Sequence, residues 1–195
     1  FTLESLEMLS HSITVDEETL ESKVALDGPP PDWAKLTYHQ CEGCPLTDTE
    51  YCPVALRLVK PLGGVKHLIS YSAVDVTVFT DARTYHKLVD VQEALRSMFG
   101  LIMATSGCPV MKPFKLMARY HLPFSTIDET IVRLMSTYLL RQYFEQADKA
   151  SLRVDLKEVE ALYNLLGPVN QGMAARIRAA VEADGALNAL VIFSS

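Results

Sequence analysis

The sequence predicts an α+β fold, a small antiparallel strand region joined to a mainly helical C-terminal half. Three observations carry that expectation. Val74, Val76 and Val78 alternate with Asp75, Thr77 and Phe79, the period of two that a strand with one more buried face requires. Beyond residue 88 apolar residues recur at spacings of three and four, the period of an amphipathic helix. A chain of 195 residues with 49% hydrophobic content can bury one sizeable core, and dividing it would leave each half marginal. A single domain over 1–195 is therefore expected, with a β-rich part at 1–36, a cysteine loop at 37–53, a mixed part at 54–125 and a helical part at 126–195.

Taken in order, residues 1–28 alternate β-branched with polar residues around Ser12-Ile13-Thr14-Val15 and predict short antiparallel strands. Pro29, Pro30 and Pro31 then enforce an extended connection, because each ring fixes φ and disfavours helix in the residue before it. Residues 37–53 form a turn-rich loop. A short apolar helix is expected from Pro53, proline being welcome at a first helical position, with its end obscured by Pro61 and Gly63-Gly64. The strand at 73–80 follows.

Leu88, Val91, Leu95, Met98, Phe99 and Ile102 gather on one face of a helix expected to end near Gly107. Thr126 and Glu129 have capping-box spacing and predict a long helix over 127–147. Two more helices are expected, at 155–166 and 169–183, divided by Gly167-Pro168. Ala189–Phe193 is read as a short buried strand or a last helical turn.

The sharpest chemical feature is a set of four cysteines. Cys41 and Cys44 form a C-x-x-C pair, Cys52 follows eight positions later, and Cys108 leaves the end of a helix after a long gap. Two thiols three positions apart in a turn can face one ion at about 2.3 Å for zinc, and four thiolates complete a tetrahedral shell or hold an iron–sulfur cluster. Cys44, Cys52 and Cys108 are each followed by proline, which stiffens the chain leaving the thiol. The expected ligands are Cys41, Cys44, Cys52 and Cys108, meeting at one point.

Two rival readings stand beside this one. His39 lies two residues before Cys41, so His39, Cys41, Cys44 and Cys52 make a local Cys₃His set without Cys108. In an enzymatic reading the loop from Met103 to Pro123 carries the chemistry, with Cys108 as nucleophile, His121 as its base and Arg119 to receive an anion. Met103, Met111 and Met117 are expected to fill core gaps and not to bind copper. Phosphate-loop, H-E-x-x-H and G-x-S-x-G patterns are absent, so the sequence designates no catalytic residue.

The segments Cys41-Glu42-Gly43-Cys44-Pro45-Leu46, Tyr51-Cys52-Pro53-Val54-Ala55, Met103 to Pro109, Met117 to Pro123 and Asn188-Ala189-Leu190-Val191 resemble landmarks of an uncharacterised bacterial protein family. The resemblance covers most of the chain. It implies bacterial origin and no particular activity, and it ties the cysteine loop to the Cys108 loop as parts of one design.

Eighteen Lys and Arg against 24 Asp and Glu give a net charge of −6, a field that repels phosphate and argues against nucleic acid as a partner. The longest apolar runs fall far short of the roughly 18–20 residues a membrane span needs. Without a visible secretory signal a cytoplasmic location is expected, and Phe1 is read as a processed or trimmed start. The apolar content of the last three helices is enough to serve both a core and a neighbouring chain, so a homo-oligomer or a protein partner is an open expectation.

Overall fold

The computed structural model describes residues 8–24, 26–65, 71–145 and 155–183. The tail Ala189–Phe193 and the opening four residues lie outside them. The fold is α+β: helices packed around one core, with a two-stranded antiparallel sheet on their flank.

Among the described residues the paired strands lie at 73–90. Within the described residues of 8–28 pairing is confined to an isolated bridge between Val15 and Ser22. Asp16 explains why: its carboxylate accepts from the backbone N–H of Glu18 and Thr19, tightening the chain into a turn before pairing extends. The turn is then strapped to the body, because Lys115 Nζ lies 2.7 Å from Glu21 and Arg119 donates to the Glu17 carbonyl.

A 3-10 turn at Asp32–Ala34 sets Trp33 against the core. Helix α1, Pro53–Val65, starts at the expected proline and continues through Pro61. Strand β1, Ala73–Phe79, pairs with β2, Thr84–Asp90, from Ala73 opposite Asp90 to Phe79 opposite Thr84. The second strand corrects the sequence reading of Leu88, which belongs to β2 and is 68% exposed, not on the core face of a helix. Asp90 ends the strand and caps α2, Val91–Ala104, by accepting from the Glu93 N–H at 2.6 Å.

Helix α2 buries Val91, Leu95, Phe99 and Ile102, the stripe its spacing predicts. A 3-10 stretch at Pro109–Phe114 leads into α3, Lys115–Arg119. Helix α4, Ile127–Glu145, opens on a true capping box: Glu129 N–H donates to the Thr126 hydroxyl, and Thr126 N–H donates to the Glu129 carboxylate. Helix α5, Leu156–Asn164, is capped by Asp155. Helix α6, Leu166–Ala183, takes Pro168 into its first turn, where a missing N–H costs nothing. Val169, Met173 and Ile177 of α6 are almost fully buried. Among the described residues no single helix is long and apolar enough to cross a membrane.

Candidate functional site

The cysteine loop is closed at its neck by backbone pairing. Leu36 N–H donates to the Glu50 carbonyl and Cys52 N–H donates to the Ala34 carbonyl, so residues 34–36 and 50–52 run side by side. Within the loop Cys44 N–H donates to the Cys41 carbonyl at 3.1 Å, and Gly43 adopts φ +68°, the left-handed conformation that a turn of this kind reserves for glycine. The fourth cysteine is placed by the end of α2. The Ser106 hydroxyl donates to the Met103 carbonyl and accepts from Cys108 N–H, while Gly107 turns the chain at φ +79°. A side chain at 107 would also press on the Glu21 carboxylate, whose oxygen lies 3.0 Å from the position of such a Cβ.

These two devices bring Cys41, Cys44, Cys52 and Cys108 to the wall of one cavity of about 230 Å³. Leu46, Val54, Val110, Val169 and Met173 complete an apolar lining. All four cysteines are free thiols, Cys52 and Cys108 buried, Cys41 and Cys44 half-buried. Burial, with Cys52 and Cys44 nearby, pushes the Cys41 thiol up to about 11, and burial also raises Cys108. Among the described residues no group of three or more His, Cys, Asp or Glu side chains is placed to hold a metal ion.

The rival residues lie elsewhere. His39 is exposed, has φ +44° and meets the Tyr38 ring edge-on at 5.0 Å, and it does not line the cavity. His121 does not line it either. Burial and the neighbouring Arg133 guanidinium push its imidazole down to about 4, so it stays neutral. Met103 and Met111 are core residues.

Helix α6 contributes two residues that sequence reasoning missed. Gly172 is buried against the loop, with Cys41 Sγ only 2.7 Å from where a Cβ would stand. Arg176 is 1% exposed and donates to three carbonyls of the loop's neck, Trp33 at 2.6 Å, Lys35 at 2.7 Å and Leu36 at 2.9 Å. Among the described residues its buried Nε has no hydrogen-bond partner. Burial disfavours its charged form, and the ionisable groups that act in the opposite direction are the Cys52, Cys41 and Cys44 thiols and the Tyr38 phenol. An arginine in a stretch otherwise read as an amphipathic helix looks like a surface residue; the available signal was its spacing of three from Met173 and seven from Val169, on the buried stripe.

The chain matches, over residues 1–195, the family model described as Domain of unknown function (DUF6901). Nothing matches it among curated proteins or among solved structures.

Proposed function

The chain belongs to the DUF6901 family, a domain of unknown function, and we propose that within it this is a non-catalytic bacterial protein whose Cys41, Cys44, Cys52 and Cys108 ligate a metal centre. The centre, zinc or an iron–sulfur cluster, pins the 37–53 loop to the end of α2 and to α6. One observation carries the reading: four cysteines from two distant parts of the sequence, each placed by its own turn, line a single cavity. Thiolate metal binding is then part of folding, on the order of 10 kcal/mol for a structural zinc site. Replacing Cys108 with serine tests the ligand set. Metal content and thermal stability should both fall, and a Cys108→Ser protein retaining the full metal content would remove Cys108 from the centre.

The enzymatic reading has less support, because the proposed base His121 lies off the cavity that Cys108 faces and the Cys108 thiol is raised, opposite to what a nucleophile needs. A subunit contact is a second reading with an observation of its own. Helix α4 leaves Ile127, Ile131, Val132, Leu140 and Phe144 exposed. A monomeric mass by light scattering across a wide concentration range would remove it.

A further inference from the structure

We propose that the outer edge of β1 is a pairing surface for a second copy of this chain, which joins two hairpins into one four-stranded antiparallel sheet. The inference is independent of the metal-centre reading and concerns a different surface from α4. Backbone direction is the first ground. At the two ends of the hairpin Val91 N–H donates to the Ser72 carbonyl and Thr80 N–H to the Arg83 carbonyl, both in register with the ladder between them. Bonded and non-bonded pairs alternate along an antiparallel ladder. Val74, Val76 and Val78 therefore turn their backbone groups toward β2, while Ala73, Asp75, Thr77 and Phe79 turn theirs away. Among the described residues β1 has no second strand beside it, and Asp75, Thr77 and Phe79 are exposed.

The composition of that edge is the second ground. Sheet edges that stay single are blunted by lysine, proline or a bulge. β1 reads Ala-Val-Asp-Val-Thr-Val-Phe, with no lysine, proline or glycine, and it pairs with β2 without an offset. Its one charged residue, Asp75, is hydrogen-bonded to His86 at 2.6 Å. A two-stranded hairpin is marginal in water without further cover. Among the described residues Val74 packs against the core, whereas Val76 and Val78, nearer the tip, stand outside it.

Self-complementarity names the occupant. A two-fold axis through Val76 brings Ala73 opposite Phe79 of the second copy and Asp75 opposite its Thr77, so every outward backbone group of β1 meets a partner. On the inner face Val74 meets Val78 and Val76 meets Val76, and cross-strand β-branched pairs of this kind stabilise a sheet. The same operation on the outer edge of β2 sets Lys87 against Lys87, and like charges directly opposite are destabilising. Charge thus selects β1 over β2. An edge of seven residues is a small interface, so the association is at the weak, micromolar end.

Sedimentation velocity of the full chain between about 1 and 500 µM reads the association, with a monomer–dimer transition expected in that range. Thr77→Pro should leave a monomer throughout it. The lost N–H is one that β2 does not use, and proline is tolerated at such an edge position, so circular dichroism and melting should stay native. Register is read by cysteine cross-linking with oxidised glutathione. In the proposed pairing Val76 faces its own mate across a non-bonded pair, where Cα atoms are about 4.5 Å apart and a disulfide fits. Val78 lies four residues from its mate, roughly 13 Å away. Val76→Cys should give a dimer linked 76 to 76 by peptide mapping, and Val78→Cys and the native chain should give none. A native chain monomeric at every concentration would overturn the proposal. So would a dimer that survives Thr77→Pro, and its loss in Leu140→Glu instead would place the contact on α4. If Thr77→Pro does not fold, the cross-link decides: none at 76, or one at 78, overturns the pairing.

Discussion

Gly172 and Cys41 are in contact by necessity: a Cβ at position 172 would fall 2.7 Å from Cys41 Sγ and 3.3 Å from the His39 carbonyl oxygen. In an exposed helix interior, Gly→Ala gains roughly 1 kcal/mol of helix propensity. Here the clash should reverse that sign, since overpacking costs about 1–3 kcal/mol. Gly172→Ala is expected to lower both thermal stability and metal content. Combined with Cys41→Ala, which removes the sulfur, the same change should become neutral or stabilising. A double-mutant cycle by chemical denaturation measures the coupling, and additive effects would mean that helix α6 does not seat on that thiol.

Thiol reactivity separates a ligand from a nucleophile. In metal-free protein at neutral pH Cys41, pushed up to about 11, and Cys108, raised by burial, are both protonated thiols. Alkylation depends on thiolate, so Cys108 should react more slowly than a free cysteine at pH 7 and gain rate only as pH rises. Mass spectrometry of native protein after brief alkylation reads this directly. A uniquely fast reaction at Cys108 below pH 7 would favour the enzymatic reading.

His121 gives an acid limb to stability. Burial, then Arg133, depresses its imidazole from an ordinary value near 6.5 to about 4. Between these values the unfolded chain binds the extra proton and the folded one does not, so stability is intact above about pH 6.5 and is lost as pH falls through about 4. The loss is on the order of 2 kcal/mol after allowance for partial exposure. His121→Gln should flatten this part of the profile relative to the native chain. Parallel profiles in urea denaturation between pH 4 and 7 would show that His121 is not its source.

The elements legible in the sequence are those whose signal is local. The Thr126–Glu129 box, the Pro53 start and the valine alternation of β1 each rest on residues within one turn or one strand, and each forms where expected. Strand β2 was hidden because Thr84, Tyr85, His86, Lys87 and Leu88 are mostly exposed, so no alternation of polarity marks a buried face. Its partner β1 defines it, through a pairing visible only in three dimensions. The alternation around Ser12-Ile13-Thr14-Val15 is real, but among the described residues of this part it yields only the Val15–Ser22 bridge, because Asp16 takes the Glu18 and Thr19 N–H groups into a turn.

The cysteine spacing was legible, and so was the placement of Cys108 past a helix end. Gly172 and Arg176 were not, because their roles depend on α6 crossing a loop more than 120 residues earlier in the chain. A glycine inside a helix and an arginine on its stripe carry no local sign of what they touch.

Metal content of the full chain, purified without oxygen and without a metal-leaching affinity step, tests the central claim most directly. Zinc, iron and copper are quantified together against protein concentration. Four cysteines acting as one ligand set predict on the order of one centre per chain, lost when Cys41, Cys44, Cys52 or Cys108 is replaced. Less than about a tenth of an equivalent of all three metals combined, in protein that is folded and reduced, would contradict it.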